Sequence, residues 1–139
     1  MENQRPDQVN AAGNNSTKGI LLVEDDPSNA EMLSLLLQSE TPYRILTLPS
    51  GDEVLRSIDE VKSFQPALFL FDYHLPKMNG LELYDQLHTT EGLEHVPALF
   101  TSAALLEGIS DEISGRGLKL LYKPFELDEF LQAVRDAMH

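Results

Sequence analysis

The stretch LFLFDYHLPKMNG, residues 68–80, decides the reading of this chain. An apolar run ends in an acid, Asp72, and a turn-forming segment with Pro76, Asn79 and Gly80 follows. An unbroken apolar run suits a strand buried on both faces, as in a parallel sheet. A carboxylate at the tip of such a strand either starts a turn or does chemistry. Its surroundings have to decide between the two.

Outward from Asp72 the pattern repeats. Residues 19–23, 43–48, 96–100 and 118–122 are further short apolar runs, beside 67–71. Between them, apolar residues recur at helical spacing. The first set is Ala30, Leu33, Leu36 and Leu37, and the second is Val54, Leu55, Ile58 and Val61. Residues 81–88 and 105–114 read as the third and fourth helices, and Leu127, Phe130, Leu131, Val134 and Met138 mark the last. Asp26 before Pro27 reads as an N-cap followed by the first helical position. Ser50 and Glu53 form a capping-box pattern. Gly108 weakens the fourth helix by about 1 kcal/mol relative to alanine. Five strands alternating with five helices predict an α/β domain with a parallel sheet covered on both sides. In such sheets functional groups gather at the carboxyl ends of the strands.

That edge carries an unusual collection. Glu24, Asp25 and Asp26 follow the first strand, and Asp72 the third. Thr101 and Ser102 follow the fourth, and Tyr122, Lys123 and Pro124 end the fifth. Taken singly, each has an ordinary explanation: a helix cap, a turn, a solvated lysine. Crowded carboxylates raise one another's pKa, and a fold tolerates them when a cation neutralises them. Hard oxygen donors suit Mg²⁺. His74, His88, His95 and His139 are scattered and do not suggest zinc. A carboxylate, a hydroxyl, a lysine and Mg²⁺ together suit phosphoryl transfer, with the carboxylate forming an aspartyl phosphate.

Bulk properties bound the reading. The chain has 139 residues, 42% of them hydrophobic, which suits one domain with a sizeable core. Residues 1–17 are polar and predict a disordered tail before a domain over 18–139. No apolar run suits a membrane span or a signal peptide, which favours the cytoplasm. There is no cysteine, hence no disulfide framework. A net charge of −13 repels phosphate backbones, which argues against nucleic acid as a direct partner.

The segments ILLVEDDPSNAEML, LFLFDYHLPKMNGLEL, VPALFTSA and LLYKPFELDEFLQAV, in this order, resemble the receiver domain of two-component response regulators, of the stand-alone type. The resemblance implies a flavodoxin-like (βα)5 fold with a doubly wound sheet in the order 2-1-3-4-5. It implies Asp72 as phosphoacceptor and Glu24 and Asp25 as the Mg²⁺ pair, Asp25 binding directly and Glu24 largely through water. It implies the His74 backbone carbonyl as a further ligand, and Lys123 as the phosphoryl partner before a possible cis-proline. Ser102 aligns with the switch hydroxyl, with Thr101 as the alternative. The implied partners are a sensor histidine kinase or histidine phosphotransfer protein, and a downstream protein docking on the fourth helix, fifth strand and fifth helix. The family often has an aromatic residue three before the lysine, where this chain has Leu120. Two other readings compete. One is a pseudo-receiver that is never phosphorylated. The other is an Mg²⁺-dependent phosphatase with an aspartyl nucleophile, although His74 stands where its second acid would be.

Overall fold

The run that ends in Asp72 is the central strand of the sheet. In the computed structural model, described over residues 17–103 and 108–138, it is β3 (Pro66–Asp72). The other strands are β1 (Gly19–Val23), β2 (Arg44–Leu48), β4 (Ala98–Ser102) and β5 (Lys119–Tyr122). All pair in parallel in the order β2-β1-β3-β4-β5, as expected. The helices are α1 (Pro27–Glu40), α2 (Gly51–Arg56), α3 (Ile58–Phe64), α4 (Gly80–Leu87), α5 (Ile109–Gly115) and α6 (Leu127–Ala137).

Strand side chains alternate between faces, so each apolar run feeds two cores. Leu21, Val23, Phe69, Phe71 and Phe100 face a core that includes Val54, Val61, Leu83, Leu87 and Ile113 from α2 to α5. Ile20, Leu22, Leu68, Leu70 and Leu99 face the other, closed by Leu33 and Leu37 of α1 and Phe130, Leu131 and Val134 of α6. Both faces are dry, which is why the runs are unbroken rather than alternating. Each fully buried Leu or Phe contributes about 1.5–3 kcal/mol.

Three boundaries differ from expectation. The second helix is two helices, α2 and α3, divided at Ser57 (φ −104°, ψ 27°). Val54 and Val61 both remain in the core, so the apolar spacing continues across the break. Strand β4 starts two residues later than expected and includes Thr101 and Ser102. Its neighbours hold it there: Tyr73 N donates to the Thr101 carbonyl at 2.8 Å, and Lys123 N donates to the Ser102 carbonyl at 2.8 Å. Gly108 is the residue before α5, at φ 90°, rather than an interior helical position. A glycine accepts that left-handed backbone without penalty, so it starts the helix instead of weakening it. The expected start at Leu105 and most of the expected disordered tail lie outside the described residues.

Asp26 caps α1 as expected, but only the Ser50 half of the expected Ser50–Glu53 capping box forms. The Asp26 side chain accepts from Ser28 N at 2.9 Å and Asn29 N at 3.4 Å. Ser50 Oγ accepts from Glu53 N at 3.1 Å, while the Glu53 carboxylate pairs with Arg56 at 2.7 Å.

Candidate functional site

Three strand ends meet at one ammonium group. Lys123 Nζ donates to Glu24 Oε1 at 3.0 Å and to Asp72 Oδ2 at 3.2 Å. Each carboxylate spends its other oxygen on a backbone amide. Asp26 N donates to Glu24 Oε2 at 3.1 Å, and His74 N donates to Asp72 Oδ1 at 2.9 Å. Glu24 is 3% exposed and Asp72 8%. Asp25 is exposed beside them, and one carboxylate oxygen from each of Glu24, Asp25 and Asp72 lies within 4.8 Å of the others. Asp26 turns to the start of α1 as its cap.

The electrostatics follow from burial. Loss of water pushes the Glu24 carboxyl above its usual range, and Asp72 adds repulsion; the Asp26 amide and Lys123 oppose this only in part. Burial pulls the Lys123 ammonium down, but its hydrogen bond to Glu24 and the charges of Asp72 and Glu24 outweigh that and hold it above its ordinary value. The lysine is therefore charged at neutral pH. The asymmetry is physical: Lys123 faces two carboxylates, while Glu24 faces one cation and a second acid.

A tight loop follows Asp72. After Asp72 the chain turns back, and Gly80 N donates to the Tyr73 carbonyl at 2.9 Å. Asn79 and Glu82 then cap α4 reciprocally, at 2.8 and 2.9 Å. A Cβ on Gly80 would stand 2.6 Å from the Asp72 carbonyl oxygen, so the glycine is required by the close approach of backbone to backbone.

Residues 20–135 match the family model described as "Response regulator receiver domain". The chain belongs to this family. It is similar to the polar-differentiation response regulator DivK of Brucella ovis, at 28% identity over 86% of this chain and 94% of the relative. A response regulator receiver protein from Burkholderia phymatum is similar in structure, with a TM-score of 0.73 at 28% identity, covering 88% of this chain and 95% of that one. The receiver domain of sensor histidine kinase PA1611 from Pseudomonas aeruginosa, solved with magnesium in its active-site cleft, shares the fold, with a TM-score of 0.73 at 24% identity over 88% and 98% of the two chains.

The other residues singled out in the receiver sequence are placed as follows. The Lys123–Pro124 peptide is cis. Thr101, 2% exposed, is the register partner of Asp72. Ser102, fully buried, ends β4 with its Oγ 2.8 Å from His74 Nε2. This side-chain contact was not legible in the sequence, where only the backbone carbonyl of His74 has a role. Leu120 is the register partner of Phe100 and packs against the same core. Tyr122 pairs with Ser102.

Among the described residues, the large apolar side chains Met32, Leu35 and Leu127 are exposed at 53%, 58% and 47%. All three line an open groove of about 600 Å³, with Leu36 and Phe125, between α1 and the start of α6. The adjoining hollow is lined by Met32, Phe125, Lys123 and Pro124, so the groove runs to Lys123. No helix among the described residues is long and apolar enough to cross a membrane.

Proposed function

We propose that this receiver domain is a cytoplasmic phosphorylation switch, with Asp72 the acceptor of a phosphoryl group from a histidine kinase or histidine phosphotransfer protein. One observation carries this reading: two buried carboxylates from different strands share one charged lysine at the sheet's carboxyl edge, with a third, exposed acid beside them. A purely structural salt bridge has no use for the extra acids, which cost stability through repulsion.

In the transfer, an Asp72 carboxylate oxygen attacks the phosphorus of the phosphohistidine. A P–O bond forms and the P–N bond breaks. The electron pair stays on the leaving imidazole nitrogen, which then takes a proton. Lys123, already 3.2 Å from Asp72, pairs with a phosphoryl oxygen as that charge arrives. A hard dication fits the oxygen donors here. Asp25, Asp72 and the His74 carbonyl would hold Mg²⁺ directly, and Glu24 through water. When bound, Mg²⁺ supplies charge neutralisation and orientation for the phosphoryl oxygens.

The donor is assigned to the groove between α1 and α6. A phosphohistidine has to reach Asp72, so its protein must cover this rim, and the groove is the apolar surface continuous with Lys123. The downstream protein is assigned to the face of α5, β5 and α6. The chain itself turns over no external substrate in this reading. Treatment with acetyl phosphate and Mg²⁺ should add one phosphoryl group by intact mass, and Asp72→Asn should abolish it. An unmodified wild-type chain would favour a pseudo-receiver. Steady release of phosphate from small phosphate esters would favour a phosphatase.

A further inference from the structure

His74 touches both partners of the switch. Its backbone N–H donates to Asp72 Oδ1 at 2.9 Å, and its ring Nε2 meets Ser102 Oγ at 2.8 Å. The ring is held from the β3 side. It stands edge-on to the Tyr73 ring, 5.2 Å between centroids, and the Tyr73 hydroxyl accepts from Asn79 Nδ2 at 3.5 Å. Ser102 is held from the β4 side, where its carbonyl accepts from Lys123 N at 2.8 Å. The contact therefore bridges two strand ends that are themselves fixed.

A serine hydroxyl has one proton to give and two lone pairs. A phosphoryl oxygen accepts. To bond a phosphoryl group on Asp72, Ser102 must aim its proton there. An imidazole that accepts from Ser102 consumes that proton. An imidazole that donates occupies a lone pair and anchors the oxygen in the same rotamer well. In both tautomers Oγ is tied to the ring.

We propose that His74 is a positioning residue: its imidazole anchors Ser102 Oγ in the unphosphorylated domain, and a phosphoryl group on Asp72 must compete with it for the hydroxyl. This rests on Asp72 as acceptor and Ser102 as the hydroxyl that responds. The imidazole then sets how readily the switch turns on. It does so without entering the chemistry, and replacing it leaves the backbone carbonyl and amide of residue 74 in place.

The test uses the full chain, saturating Mg²⁺ and beryllofluoride as the phosphoryl probe, titrated by ¹⁹F NMR. His74→Phe keeps a flat ring against Tyr73 but removes both nitrogens. It should bind beryllofluoride more tightly, by roughly five-fold, the scale of one net hydrogen bond. In a Ser102→Ala background the same substitution should change nothing, since the competed contact is already gone. His74→Ala should act in the same direction. In the wild-type chain, the Nε2 resonance of His74 should move when beryllofluoride binds. Unchanged or weaker binding in a folded His74 variant would overturn the proposal. So would an equal gain without Ser102, or a static Nε2 resonance on saturation. Failure of the wild-type chain to bind beryllofluoride at all would overturn the phosphoacceptor reading itself, and this inference with it.

Discussion

Lys123 Nζ and Asp72 Oδ2 lie 3.2 Å apart although 51 residues separate them in sequence. Only the sheet order brings them together, with β4 between their strands. The Lys123 side chain is 19% exposed and those of its partners 2% and 9%, so this pair is largely out of water. Removing one member of a buried pair leaves uncompensated charge. Lys123→Ala should therefore destabilise the fold by about 3 kcal/mol in urea unfolding. Added Mg²⁺ should recover part of that loss by binding the two carboxylates in the folded state alone. A loss that Mg²⁺ leaves untouched would argue that the acids do not share a cation site.

Asp25 and Asp26 are adjacent and chemically alike, but they face different tasks. Asp25 is exposed beside the buried acids, and Asp26 is spent on the first amides of α1. Mg²⁺ should raise the melting temperature of the wild-type chain. Asp25→Ala should lose most of that rise. Asp26→Ala should cost about 1 kcal/mol of stability and keep the rise. The reverse pattern would mean that the roles of the two acids are exchanged.

The sequence made the acids and the lysine legible because each stands at a strand end, and a parallel sheet collects those ends on one edge. Sheet order was not legible from periodicity; it came with the family resemblance. The break at Ser57 escaped because Val54 and Val61 keep their helical spacing across it. The end of β4 escaped because the amides of Tyr73 and Lys123, each one residue past a neighbouring strand, extend the ladder to Ser102. His74 escaped because a residue past a strand end has no period to say where its ring points. The Asn79–Glu82 capping box, which starts α4 at Gly80, was not read from the sequence, where the helix was placed at 81–88 from its apolar residues.

Gly80 offers a test of how tightly Asp72 is held. A methyl group there would meet the Asp72 carbonyl oxygen at 2.6 Å, so backbone must move. Gly80→Ala should cost about 1–3 kcal/mol, the range of overpacked sites. The strained atom belongs to Asp72 itself. Labelling by acetyl phosphate should therefore slow in the folded variant. An unchanged rate, measured by intact mass over time, would show that the loop absorbs the methyl without moving Asp72.

Another ion pair joins α4 to the residue after α5. Arg116 donates to Asp85 at 2.6 and 2.8 Å, with side chains 36% and 50% exposed. The hydrogen bond from Arg116, aided by its charge against a small opposing cost of burial, holds Asp85 below its ordinary value of 3.8. The folded chain thus binds this proton less tightly than the unfolded chain. The pair's contribution is complete above 3.8 and fades as the pH falls below it. At this exposure it amounts to about 0.5 kcal/mol. Arg116→Ala should lower stability by that amount at neutral pH, and the difference should vanish in strong acid. A difference that persists there would assign Arg116 a packing role instead.

The groove between α1 and α6 separates a protein donor from a small one. Leu35 is 58% exposed, so Leu35→Glu gives up little burial in the free domain, and its stability should stay within about 0.5 kcal/mol of wild type. In a docked complex the same carboxylate would sit in an apolar groove, without water and without a partner. It also adds to a chain already at −13. Transfer from a phosphorylated histidine phosphotransfer protein should fall at least ten-fold, the scale of a desolvated charge. Labelling by acetyl phosphate, which needs no groove, should keep its wild-type rate. Equal loss with both donors would place the defect at Asp72. Full transfer from the protein donor would remove the groove from the docking surface.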